Sequence, residues 1–96
     1  MNILDVEIYI KQFIDFFEKN PNDLIELIGE SLKEEFYSEV REQCTKNYHN
    51  GDDVTLTRQQ IIDIVVGLKK GNQLESTEEV INKISQKTKF GLIYLN

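Results

Sequence analysis

The chain has 96 residues, of which 40% are hydrophobic, and a formal net charge of −6 at pH 7. This length fits a single domain over residues 1–96, and the apolar fraction excludes a disordered chain. The single cysteine, Cys44, excludes an internal disulfide. The sequence also holds neither a signal-peptide pattern nor an apolar run of bilayer length, so we expect a cytoplasmic protein without a membrane partner.

The charge is unevenly distributed along the chain. Residues 1–50 hold eleven acidic and five basic side chains, whereas residues 51–96 hold six of each, so the whole negative charge belongs to the first half. We expect an acidic helical half over 1–50 and a strand–helix–turn–helix–strand half over 51–96. Of the two halves, the second is the one suited to contact a polyanion.

The first predicted helix runs from Leu4 to Glu18. Apolar residues recur along it at the spacing of one helical face, namely Val6, Ile10, Phe13, Ile14 and Phe17. Asn20 and Pro21 end it, because a residue that precedes proline avoids the α region. Tyr9 and Phe16 lie outside this stripe. Since exposed aromatic residues suit partner surfaces, these two are the candidate protein-interface residues.

Two further helices are expected in the acidic half. Asn22 and Asp23 are predicted to cap a short helix that stops at Gly29. Ser31 and Glu34 have the spacing of a capping box, in which the serine oxygen accepts from a backbone amide and the glutamate reaches back. The helix that follows is predicted to close at residues 50–51, Asn-Gly.

The second half alternates short strands with capped helices. A strand is expected at Val54–Leu56, followed by a helix that Thr57 caps and that continues to Leu68, although its β-branched residues leave a buried strand as an alternative. Ser76 is predicted to cap the next helix, and Phe90–Leu95 to form a strand that pairs with the first. The predicted fold is therefore mainly α, about five helices with a minor two-stranded β element.

This layout resembles a winged helix-turn-helix domain. The resemblance rests on Leu56–Ile61, which opens the first helix of the pair, and on Gly91–Ile93, which opens the strand after the second. It implies a recognition helix that begins near Ser76 and contacts nucleic acid. Glu78 and Glu79 stand in the first turn of that helix and would repel phosphate.

The exposed face of this helix supplies the candidate nucleic-acid site. Asparagine and glutamine pair with adenine edges, and lysine pairs with guanine or phosphate. The candidate residues are Asn82, Lys83, Gln86, Lys87 and Lys89. Lys69 and Lys70 are expected to add phosphate contacts. The alternative is an ordinary polar helix surface, which a pI near 4.7 favours.

No pattern of catalytic or metal-ligating residues is present. Glu35, Glu39 and Glu42 share one helical face, but they lack the Glu-x-x-His pairs of a carboxylate metal site, so we expect them to face solvent. Cys44 and His49 form one isolated couple without the spacing of a zinc site. We therefore predict a protein that is not an enzyme and has neither a metal nor a cofactor.

The functional hypothesis is a small intracellular binding protein, in its most specific form a winged-helix-like nucleic-acid-binding module. The alternative is an acidic protein–protein adaptor, or a protein that dimerises, without any nucleic-acid contact. An acidic net charge discourages non-specific binding to nucleic acid and therefore favours this alternative.

Overall fold

A computed structural model describes residues 3–69, 74–87 and 93–94 of the chain. The fold of this part is mainly α with a minor β element, as predicted from the sequence. In chain order the elements are α1 (Ile3–Lys19), α2 (Pro21–Ile28), α3 (Lys33–His49), β1 (Leu56–Thr57), α4 (Arg58–Leu68), α5 (Leu74–Lys87) and β2 (Ile93–Tyr94).

Helix α1 ends where the sequence predicts, but α2 begins earlier than expected. Pro21 is the first residue of α2, and Asn20 is its N-cap residue. A proline at this position suits a helix start, because its φ is already helical and the N–H that it lacks would have no intrahelical partner. The predicted cap at Asn22 and Asp23 is therefore wrong. The side chain of Asn20 instead donates back to the carbonyl oxygen of Phe16 at 2.8 Å.

The junction between α2 and α3 also differs from the prediction. Gly29 ends α2 with a φ of 80°, as expected, and its N–H donates to the carbonyl oxygen of Ile25 at 2.7 Å. Helix α3 then begins at Lys33 with Leu32 as its N-cap residue. Ser31 thus lies one residue too early to cap the helix, and its predicted capping box with Glu34 is wrong. The other end of α3 is as predicted, since Asn50 is its C-cap residue and Gly51 has a φ of 78°.

The start of α4 is the capping box that the sequence predicts. The hydroxyl of Thr57 accepts from the Gln60 N–H at 3.0 Å, and the Gln60 side chain accepts from the Thr57 N–H at 3.0 Å. The segment 61–68 is therefore helical, and the alternative of a buried strand is wrong. Ile61, Ile62 and Val65 point into the core, which offsets their modest helix propensity.

The two strands pair, although their bounds differ from the predicted ones. Leu56 is opposite Ile93 and Thr57 is opposite Tyr94 in a parallel arrangement. The first strand lies later than the predicted Val54–Leu56, because the Thr55 N–H donates to the Asp53 carboxylate at 2.9 Å and turns the chain there. Of the predicted strand at 90–95, residues 90–92 and 95 lie outside the described residues.

Helix α5 begins at Leu74, so the predicted cap at Ser76 is also wrong. Leucine and glutamate, the two residues before this serine, are good helix formers and let the helix start earlier. The helix packs against α2 and α4, while α3 packs against α1 and α4. The radius of gyration of 12.5 Å equals what a compact folded chain of this length has.

Candidate nucleic-acid interface on helix α5

Helix α5 has one buried side and one exposed side. Its buried side chains are Thr77, Val80, Ile81 and Ile84. On the opposite side Asn82, Lys83 and Gln86 are exposed, so the helix presents three of the predicted site residues on one face. An amphipathic helix of this kind is held by its apolar stripe and leaves its polar stripe free to contact a ligand.

Asn82 is hydrogen-bonded to an arginine of the neighbouring helix. Nε of Arg58, the first residue of α4, donates to Oδ1 of Asn82 at 3.0 Å. Asn82 is exposed and Arg58 is partly buried. This contact adds a guanidinium group to the exposed face of α5, at a position that the sequence-based prediction did not include.

Lys83 is paired with an acidic residue of the first half of the chain. Its ammonium group lies 3.1 Å from the carboxylate of Glu26 on α2, and both side chains are about half exposed. The acidic half is therefore not remote from the candidate site, because α2 packs directly against α5. An exposed pair of this kind is worth about 0–1 kcal/mol, so a phosphate that offers a better contact can replace the carboxylate.

The remaining predicted residues are only partly covered by the structure. Lys87 is the last residue of α5, Lys69 is the C-cap residue of α4, and Lys70 and Lys89 lie outside the described residues. Glu79 is exposed and lies on α5 with the candidate residues. Its charge, like that of Glu26, opposes a polyanion at this face.

A partly buried polar network fixes the start of α4 and therefore the position of Arg58. Asn47 of α3 is 4% exposed, and its amide exchanges two hydrogen bonds with the amide of Gln60, at 3.1 and 3.0 Å. Gln43 also donates to Asn47 at 3.1 Å. Because Gln60 belongs to the capping box, this network connects the end of α3 to the first turn of α4, where Arg58 follows the cap Thr57.

The expected aromatic interface on α1 is not exposed. Tyr9 is only 6% exposed, its hydroxyl oxygen accepts from the Leu56 N–H at 3.3 Å, and burial raises the pKa of this phenol. The expectation that Tyr9 faces a partner is therefore wrong. Phe16 is partly buried and packs against Phe17, with 5.2 Å between the ring centroids. Among the described side chains of α1, the large apolar residues that are exposed are Leu4 at 61% and Ile8 at 56%.

The residues weighed as catalytic or metal-binding are not assembled into a site. Cys44 is fully buried, and burial raises the pKa of its thiol to about 12, so it is protonated at neutral pH and is a poor nucleophile. Glu35, Glu39 and Glu42 are exposed along α3. Within residues 3–69, 74–87 and 93–94, no three His, Cys, Asp or Glu side chains are grouped closely enough to hold a metal ion.

Comparison with known proteins finds no matching family model, no matching curated protein and no matching solved structure. In the described part of the chain, no helix has the length and the apolar character needed to cross a membrane. What supports a function is therefore the geometry of the chain's own residues, above all the exposed side of α5 and the arginine beside it.

Proposed function

We propose that this chain is a small binding protein without enzymatic activity, and that it contacts duplex nucleic acid through the exposed side of α5 and the first residue of α4. The observation that carries the proposal is the grouping of Asn82, Lys83 and Gln86 on one face, with the guanidinium of Arg58 beside them. The order strand, helix, helix, strand over β1, α4, α5 and β2 supports a winged-helix-like arrangement.

The charges around this face predict a modest affinity. Binding to duplex DNA depends chiefly on neutralising phosphates, and the protein as a whole is acidic. If the lysines of this region engage about three to five phosphates, the logarithm of the binding constant should fall with the logarithm of the salt concentration with a slope of about −3 to −4.5. Glu26 lowers the affinity further, because a phosphate must displace it from Lys83.

The test is a titration of the whole protein against a labelled duplex of mixed sequence, followed by fluorescence anisotropy over a series of salt concentrations. We expect binding at low salt that weakens steeply as salt is added. Lys83→Glu should weaken binding about tenfold or more and reduce the magnitude of the salt slope by about 1, because a phosphate contact is lost. Glu26→Gln should strengthen binding, because the competing carboxylate is removed.

A matched control for the lysine variant exists on α3. Lys46 is also an exposed lysine in an ion pair, 3.5 Å from Glu42, and Lys46→Glu changes the net charge by the same amount. This control should bind the duplex almost as well as the unaltered protein. Equal losses for both variants would mean that only net charge matters, and no binding at low salt would refute the nucleic-acid proposal.

A protein partner is the second candidate function, and one observation favours it. Leu4 and Ile8 are one helical turn apart on α1 and are both more than half exposed, so they form a small apolar stripe on the acidic half. If duplex binding is absent, Ile8→Glu should remove an association that sedimentation or cross-linking detects in the unaltered protein. An unaltered protein that stays monomeric and captures no partner would exclude this second candidate.

A further inference from the structure

The contact between Arg58 and Asn82 determines which atoms the candidate interface offers to a base. An arginine Nε–H can only donate a hydrogen bond, so the asparagine atom 3.0 Å from it is the carbonyl oxygen, Oδ1. This contact determines the orientation of the Asn82 amide, whose oxygen and nitrogen could otherwise exchange places. One of the two lone pairs of the amide oxygen is thus engaged within the protein, and the NH2 group of Asn82 can donate to a ligand.

The same contact orients the arginine. A guanidinium carries five N–H donors in a fixed fork, and Nε accounts for one of them. Among the described residues, the two terminal amino groups of Arg58 have no hydrogen-bond partner. Because the side chain is partly buried and already hydrogen-bonded, it loses less conformational freedom on binding than a free arginine would. Arg58 and Asn82 together therefore present mainly donors, the two terminal amino groups of Arg58 and the NH2 group of Asn82.

A surface with two adjacent donors favours guanine over adenine and cytosine in the major groove. Guanine presents two acceptors there, O6 and N7, whereas adenine presents one acceptor and one donor, and cytosine presents a donor. Bidentate pairing of asparagine with adenine uses the amide oxygen as an acceptor, and one of the two lone pairs of the Asn82 oxygen already accepts from Arg58. The two terminal amino groups of Arg58, which are both donors, match the two acceptors of guanine without any rearrangement of this contact.

We propose that Arg58 and Asn82 act together as a reader of guanine in the major groove of duplex DNA, with the terminal amino groups of Arg58 donating to O6 and N7. This inference rests on the proposed nucleic-acid function and adds its base specificity. A phosphate also accepts from a donor surface, but a phosphate contact carries no sequence preference. Sequence preference in binding therefore distinguishes a contact with guanine from a contact with a phosphate.

The experiment selects duplexes from a randomised pool with the unaltered protein and with Arg58→Lys, then sequences the bound fraction. Lysine keeps the positive charge but lacks the fork. For the unaltered protein we expect one enriched guanine position, at which guanine-to-adenine replacement weakens binding about tenfold. In Arg58→Lys that enrichment should disappear while low-salt binding of the mixed pool persists. The matched control is Arg41→Lys on α3, an exposed arginine paired with Glu7, which should retain the enrichment.

Each other result overturns the inference in a recognisable way. Binding without any guanine preference, or a preference that survives in Arg58→Lys, refutes guanine recognition and leaves the proposed function intact. Binding that shows no guanine preference and is nearly unchanged in Arg58→Lys identifies the contact as a phosphate contact, because lysine keeps the charge that neutralises a phosphate. Absence of duplex binding at low salt refutes the proposed function, and guanine recognition with it. Circular dichroism and thermal unfolding of each variant establish that it is folded.

Discussion

The two junctions that flank α3 have the same sequence signal and different structures. Ser31 and Glu34 precede α3 with the spacing of a capping box, and Thr57 and Gln60 precede α4 with the same spacing. At α4 both reciprocal hydrogen bonds form. At α3 the helix starts two residues after the serine, and no side chain caps it. The spacing alone therefore does not determine where a helix begins.

What distinguishes the junction at α4 is a partner outside the local sequence. The amide of Gln60 is held by the buried amide of Asn47 on α3, so the residue that closes the capping box is already oriented. Glu34, which the predicted box at Ser31 requires, is exposed and has no such hydrogen-bond partner within the described part of the chain. A tertiary contact thus determines which of the two capping-box sequences forms a capping box. The one that forms is at the junction that positions Arg58.

The substitution expected to have the largest effect on stability is at Asn47, whose buried amide distinguishes the two junctions. Asn47→Ala removes the acceptor of the Gln60 and Gln43 NH2 groups, whereas the Gln60 oxygen keeps the Thr57 N–H as a donor. Leaving these partly buried donors unpaired should lower the free energy of unfolding by about 2 kcal/mol. Urea unfolding followed by circular dichroism measures it, and a loss below about 0.5 kcal/mol would mean that water replaces the asparagine at no cost.

A smaller effect is expected at the threonine cap. Thr57→Ala removes the acceptor for the Gln60 N–H and should lower the free energy of unfolding by about 1 kcal/mol. Thr57→Ser keeps the hydroxyl and should recover most of this loss. If the serine variant is as destabilised as the alanine variant, the hydroxyl is not the stabilising group.

The smallest effect is expected at the serine that does not cap. Ser31 is exposed and precedes the N-cap residue of α3, so Ser31→Ala should change the free energy of unfolding by less than about 0.5 kcal/mol. Measured by the same urea unfolding, Ser31→Ala is the matched control for Thr57→Ala. A loss near 1 kcal/mol at Ser31 would contradict the difference between the two junctions.

The helices were predictable where one local cause dominates. The apolar period of α1 and the proline at 21 predict a helix over Leu4–Glu18, and the structure has Ile3–Lys19. The start of α4 was also predictable, because its cap forms as the spacing indicates. The starts of α2 and α5 were not, since Pro21 and Leu74 let these helices begin before the predicted asparagine and serine caps. Helix α3 instead begins one residue later than a cap at Ser31 predicts, because Leu32 is its N-cap residue.

The candidate site was predictable as a helical face but not as a set of contacts. Helical periodicity places Asn82, Lys83 and Gln86 on one side of a helix, and these three are exposed in the structure. The neighbours of that face come from other elements, Arg58 from α4 and Glu26 from α2, and no periodicity within α5 reveals them. For the same reason the sequence indicated that the acidic first half is separate from the candidate site, whereas the packing of α2 on α5 brings the acidic Glu26 next to it.

The thiol of Cys44 can report when the hydrophobic core of the protein opens. It is the single cysteine of the chain, it is fully buried on α3, and its raised pKa keeps it protonated at neutral pH. A thiol-specific reagent therefore reacts only in molecules whose core has transiently opened. The rate of labelling thus measures the population of those open molecules, without any engineered probe, and α3 packs against α1, α4 and β1 at the centre of the fold.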